Sequence, residues 1–472
     1  MNFSVSRKQF DFRSLLPLVA VQSLCLAGFL YFFSTGNKEF AWLFYMAPFQ
    51  IVFLMLLFHK AQFLLLAASI VAPLAVCQLI PNDYHQFIFF PSIIGLLILL
   101  RFTSWGKLNT PERRWGHLLP PERFVGLGLL GWIIISFIIA IIRGPTERFF
   151  IICNVLILEA FILGYFFAVV PQDVLKVKEL INAIATGVAV CVVLLPLLVR
   201  YSAGFVDTFG GKKLSVPFGI LDLNALGMLI ATLASALLGI VLGERRFLHR
   251  LYLGFVVVIL LIGLVFTRSR GAWFGMGIAL LYLLLKTRSP VLGAITGAGG
   301  VFVIVFSFFR SLFISRLEGT NLNDPAFIAR LILWNFGLLV ARKNWLFGVG
   351  WENFRFIKYI YGYPRFADPK VYFSTHNLYL EMMADLGLVG FLLFVVLLFG
   401  TIVRTDRLAG KVENQFQYTA LGVTAALIAF AAHSFFDSLS STFMVIGMWF
   451  GMAMALRRLA SNSTPGVNDF FG

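Results

Sequence analysis

"DPAFIARLILWNFGLLVARKNW", residues 324–345, decides how this chain is threaded. It is apolar, and at 22 residues it is long enough to cross a hydrocarbon slab as a helix. Asp324 suits an N-cap and Pro325 the first helical position. A span here, however, would set Arg330 in hydrocarbon, at a cost of about 2–3 kcal/mol. It would also move "RTDRLAGK" (404–411) and the pair Arg457–Arg458 to the outer face, against the bias of Lys and Arg toward cytoplasmic loops. The segment therefore reads as a helix lying on or between membrane helices at the outer face. Residues 310–379 become one large extracytoplasmic loop.

Working outward, 60% of the 472 residues are hydrophobic, only 13% are charged, and 53 are phenylalanine. A soluble protein cannot hide so much apolar surface, so this is an integral membrane protein. Apolar runs predict helices at roughly 15–33, 40–58, 62–80, 86–101, 124–142, 149–170 and 180–199, and again at roughly 219–242, 250–267, 271–286, 290–309, 380–403, 415–435 and 440–456. The expected fold is an all-α polytopic bundle of about 12–14 transmembrane helices with one large, helix-containing periplasmic loop. Four regions follow: N-terminal helices over 1–205, a core over 206–309 that carries arginines, the loop 310–379, and C-terminal helices over 380–472. With both termini cytoplasmic, the basic stretches 101–123, "GERRFLHR" (243–250), "KTRSP" (286–290) and 404–411 all fall inside.

That arrangement accounts for much of the net charge of +16 without nucleic acid as a partner. The four cysteines lie within apolar runs without paired spacing, so neither a disulfide framework nor a zinc site is expected. No signature of nucleotide phosphate binding, hydrolytic triads or zinc proteases occurs. A transporter stays open as a class, although no clear internal repeat is visible.

The outer face is basic. The loop 310–379 holds nine Lys or Arg against four Asp or Glu, and Arg268 and Arg270 occupy a short outer turn between two apolar helices. Such arginines either snorkel to headgroups or pair bidentately with phosphate oxygens; a lipid diphosphate would suit the second use. His376 also admits two readings. It is a structural imidazole at a helix start capped by Thr375, or a neutral general base for a sugar hydroxyl. Glu381 and Asp385 follow at helical spacing, and the residues alone favour salt bridges to outer arginines over a role in orienting the imidazole.

Four stretches together resemble the O-antigen ligase and Wzy polymerase superfamily, polytopic glycosyltransferases of the GT-C type. "FGILDLNALGMLIA" (218–231) resembles the family's Asn-containing helix start, with Asn224 in that place and without the usual preceding Pro. "TRSRGAWFG" (267–275) resembles its Ser-Arg-Gly motif and points to Arg270. "ARLILWNFGLLVARKNWLFGVGWENF" (329–354) resembles the loop pattern that singles out Arg330 and the turn Gly348–Gly350. "STHNLYLEMMADLGLVGF" (374–391) resembles the His-Asn segment that ends the large periplasmic loop.

The resemblance implies a membrane glycosyltransferase of the inner membrane with its active site facing the periplasm. An undecaprenyl-diphosphate-linked glycan would be the donor. Lipid A–core would be the acceptor in a ligase, and another lipid-linked repeat unit in a polymerase. Ligase is the first expectation, repeat-unit polymerase the alternative, and lipid-linked glycan transport a third. The diphosphate is already a leaving group, so no metal, ATP or other cofactor is expected. On the family pattern Arg270 and Arg330 would bind the diphosphate with support from Arg268, and His376 would be the general base of an inverting transfer. Asn377 and Asp437 would help to position the reactants, membrane lipid would surround the bundle, and apolar helices would hold the polyprenyl tail.

Overall fold

The computed structural model describes residues 120–143, 164, 167–168, 171, 173–201, 223–267, 269–290, 292–294, 297, 325–351, 353–354, 374–437 and 442–463. Among them nine helices are named: α1 (Pro120–Arg143), α2 (Val174–Tyr201), α3 (Leu223–Gly243), α4 (Phe247–Thr267), α5 (Arg270–Thr287), α6 (Pro325–Lys343), α7 (Leu378–Ala409), α8 (Asn414–His433) and α9 (Thr442–Ser463). The described residues contain no strand, and the architecture is all-α, as composition requires. The four expected helices between 15 and 101 lie outside the described residues, as do most of 149–170 and 290–309.

Four of these helices are long and apolar enough to cross a membrane: Asn224–Gly243, Phe247–Thr267, Leu378–Ala409 and Asn414–His433. Pro325–Lys343 is not one of them. It does begin at Pro325, where a missing amide proton costs a helix nothing. One face of α4 leaves Leu251, Phe255, Val258, Ile262 and Phe266 exposed at helical spacing, a surface that suits lipid tails and not water. The protein is a multi-pass membrane protein.

Helices α3 and α8 form the centre, and small residues let them approach. A Cβ on Gly239 would run into the Gly422 backbone, and one on Gly422 would meet the Ala236 carbonyl. Ser235 and Thr424 return their hydroxyls to carbonyls four residues earlier, at 2.7 and 2.8 Å, so no unsatisfied hydroxyl enters the buried seam. Packing of α5 on α3 and α8, and of α7 on α8 and α1, then gives the bundle two distinct ends.

One end collects the loops expected in the cytoplasm. Arg245 Nη2 donates to Asn414 Oδ1 at 2.6 Å, and Asp406 accepts from Tyr282 and Lys286 at 2.6 and 2.8 Å. Glu244 is buried there between Lys178, the Arg246 amide at 3.0 Å and His249 Nδ1 at 2.9 Å. Burial by itself would raise the Glu244 carboxyl pKa. The Lys178 ammonium, with the amide and the imidazole, outweighs it and brings the pKa down from 4.5 to about 2.

Helix α7 breaks at Gly387 (φ 68°, ψ −172°), which releases carbonyls from the helical ladder. The turn after α6 captures them. Val349 and Gly350 amides donate to Ala384 and Asp385 carbonyls at 3.0 and 2.9 Å, and Leu388 returns a bond to the Trp345 carbonyl at 2.7 Å. Trp132 Nε1 of α1 donates to the Leu386 carbonyl at 2.9 Å, and Ser136 Oγ lies 3.3 Å from that of Asp385. Gly348 (φ 69°) and Gly387 stand back to back, each so close to the opposite backbone that a Cβ on either would collide with a carbonyl. Gly337 meanwhile rests against Thr375 and Leu380 at the start of α7, so α6 runs beside α7 in the same direction.

Gly387→Ala is expected to destabilise by more than about 2 kcal/mol, because strained φ and a backbone clash act together; a lowered thermal midpoint in detergent checks it. The Glu244 pKa is lower in the folded chain, so its stabilisation is complete above about pH 4.5 and fades as pH falls toward about 2. That contribution is about 3 kcal/mol. Glu244→Gln is expected to lower the midpoint at neutral pH, by leaving Lys178 buried without its counter-charge, and to flatten the acid dependence in that window.

Candidate functional site

The opposite end gathers the sequence motifs. Helix α7 starts there, and its N-cap is Asn377, whose Oδ1 accepts the Leu380 amide at 3.1 Å. The expectation of Thr375 as cap is corrected. Thr375 precedes the cap, buried, with its amide and hydroxyl 2.8 and 2.9 Å from Glu381 Oε2 and its Oγ1 accepting the Asn377 amide at 3.2 Å. Asn is the stronger cap because its amide oxygen reaches the N3 amide directly. A further orphan amide of the first turn, that of Leu378, donates to the Ser434 and Asp437 carbonyls at 2.8 and 3.2 Å. The start of α7 is thus tied to the turn that follows α8.

This tie sets His376 opposite Asp437. The imidazole Nδ1 lies 3.3 Å from Asp437 Oδ1, with the histidine side chain 26% exposed and the carboxylate 1%. With a carboxylate as acceptor, the proton is assigned to Nδ1, and Nε2 is left as the basic nitrogen. His376 has φ 49°, a left-handed conformation that histidine tolerates better than most residues. The carboxylate against the imidazole is Asp437, not Glu381 or Asp385. Glu381 holds Thr375, and Asp385 Oδ1 accepts the Phe354 amide at 2.9 Å, so both brace backbone.

Arg270 is exposed at the first position of α5, after the N-cap Ser269, whose Oγ accepts the Ala272 amide at 3.4 Å. The helix start adds its own positive end to that guanidinium. The motif's glycines have a steric reason. A Cβ at Gly271 would lie 2.8 Å from Phe436 Cβ, and one at Gly275 would strike the Ala429 carbonyl, so α5 could not seat on α8. Arg330 is half-buried on α6, and its charge together with that of Asp437 reaches the ring of His433. Asn224 is half-buried at the start of α3, whose Gly227 abuts Ser269 and Ala272. Arg268 lies outside the described residues.

His433, the last residue of α8, is not among the residues the motifs indicate. It is 1% exposed, and neither ring nitrogen has a hydrogen-bond partner among the described residues. Its only sequence signal is its position four residues before Asp437 in "HSFFD". The assembled end therefore carries an imidazole against a carboxylate, the α5 start with Arg270, and Arg330, whose charge acts on His433, with no cluster of three or more metal-ligating side chains among the described residues.

Residues 255–395 match the family model described as O-Antigen ligase (Wzy_C). The match runs from α4 through α7 and contains Arg270, Arg330 and His376, while Asn224, His433 and Asp437 stand outside it. No curated protein matches the chain.

Glu381→Ala is expected to destabilise by about 1–3 kcal/mol by removing the acceptor of the buried Thr375 amide, whereas Glu381→Gln, which keeps an acceptor, costs less. Thermal midpoints of the two variants in one detergent decide it.

Proposed function

We propose that this chain, whose residues 255–395 match the O-antigen ligase family model, is an O-antigen ligase. It would transfer a glycan from undecaprenyl diphosphate to a sugar hydroxyl of lipid A–core at the periplasmic face of the inner membrane. The observation that carries this reading is the His376–Asp437 pair at 3.3 Å, at the end of the bundle where α5 begins with Arg270 and α6 carries Arg330.

In the transfer, the acceptor hydroxyl oxygen attacks the anomeric carbon of the donor as its proton passes to His376 Nε2. The bond from that carbon to the diphosphate oxygen breaks, and the electron pair leaves with the diphosphate. Attack from the face opposite the leaving group inverts the anomeric centre. Asp437 is a positioning residue: it holds the imidazole through Nδ1–H and balances the imidazolium charge. Arg270 and Arg330, with Arg268 in support, counter the charge that grows on the departing phosphate, so the leaving group needs no metal. Asn377 acts through the backbone, by starting α7 at the residue that follows the histidine segment. Asn224, at the start of α3 beside the α4–α5 turn, would help to shape the same end.

Reconstituted protein is expected to consume lipid-linked donor without ATP only when lipid A–core is supplied. Longer lipid-linked chains made without that acceptor would instead identify a repeat-unit polymerase, and donor that merely crosses the vesicle would mark a transporter. His376→Ala is expected to lower turnover at least about 10²-fold while the donor still binds. Asp437→Asn, which keeps shape but removes the charge and permits the wrong tautomer, is expected to lower kcat by a comparable factor with little change in donor KM. Near wild-type kcat in folded His376→Ala protein would remove the base assignment.

A further inference from the structure

His433 has the marks of a group that awaits a ligand. A buried polar side chain without a partner is costly, and native proteins keep few of them. Here an imidazole is 1% exposed and both of its nitrogens lack a hydrogen-bond partner among the described residues. An apolar residue of similar size would fill the place without that cost.

The surroundings say what kind of ligand it is. The ring lies along the first turn of α5. A Cβ on Gly271 would sit 3.3 Å from His433 Cδ2, so the absence of a side chain there lets the imidazole lie against the first turn of α5. The charge of Arg330 acts on the same ring. The acidic group in reach is Asp437, whose Oδ1 faces His376. The charge of Arg330 on α6 and the positive end of the α5 dipole both favour an anionic oxygen near this imidazole.

We propose that His433 is a donor-binding residue, a ring N–H of which hydrogen-bonds to a phosphate oxygen of the lipid diphosphate. This rests on the glycosyl-transfer reading above and adds a third kind of contact to the leaving group. The two histidines then have separate roles, in which His376 takes the hydroxyl proton and His433 holds the diphosphate.

The test measures binding of radiolabelled farnesyl diphosphate, a short polyprenyl diphosphate, to the purified full chain in detergent, with farnesol and inorganic diphosphate as competitors. The variants His433→Phe and His433→Met, which lack an N–H, are expected to raise Kd by about 10- to 100-fold, the loss of one hydrogen bond to a charged group. His433→Gln, which keeps an N–H, is expected to stay within about fivefold of wild type. The thermal midpoint of the two apolar variants without ligand is expected to equal or exceed that of wild type, which a purely structural histidine would not allow. If His433→Phe does not give a monodisperse, cooperatively melting protein, His433→Met supplies the measurement. Folded apolar variants that bind within about twofold of wild type, or an equal loss in His433→Gln, overturn the proposal and leave the transfer reading intact. Wild-type protein from which farnesol competes the probe as well as inorganic diphosphate does would overturn the diphosphate site itself, and His433's role with it.

Discussion

Inside a bilayer a backbone amide or carbonyl has no water to turn to, so every break in a helix must be closed by the protein itself. Helix α7 shows how far that constraint reaches. Its break at Gly387 exists because the turn 345–350, Trp132 and Ser136 supply partners for the carbonyls of residues 384–386. Its first turn exists in its present place because the carbonyls of Ser434 and Asp437 take the Leu378 amide. The two closures fix both ends of one short helical segment, and His376 is carried on the end of it.

The same closure assembles the candidate site. Tying the α7 start to the turn after α8 brings a carboxylate to an imidazole 61 residues away. Small residues do the rest: Gly271 and Gly275 let α5 seat against α8, and Gly239 with Gly422 does this for α3. At Gly271 the missing side chain brings the first turn of α5 against the ring of His433.

The two ends of the bundle handle charge in different ways. At the end of Glu244, opposite charges are in contact: Lys178 with Glu244, Lys286 with Asp406. At the end of His376, Arg330 of α6 acts on the ring of His433, Arg270 opens α5, and the carboxylate of Asp437 already faces the other imidazole. Cationic excess at membrane level is tolerated where an anion is expected, and the lipid diphosphate of the proposed donor would be such an anion.

Much of this was legible in residues. Composition required a membrane protein, and apolar runs placed α3 to α5 and α7 to α9 within several residues of their observed bounds. Pro325 marked the start of α6, and the arginine and histidine motifs agreed with the O-antigen ligase match over 255–395. Such features are local, because hydrophobic period, charge bias and motif order are written along the chain. The partners were not local. Nothing in the spacing of Glu381 and Asp385 says that they brace backbone, or that Asp437 faces the imidazole instead. The break at Gly387 and the buried ring of His433 were equally invisible, since each depends on which helix lies opposite. The sequence by itself determined the membrane class, the helical elements and the residue types at the end that carries His376. Only the tertiary structure decided which side chains meet, because contact between distant segments follows from how helices pack and close their free backbone groups, and no period along the chain records that.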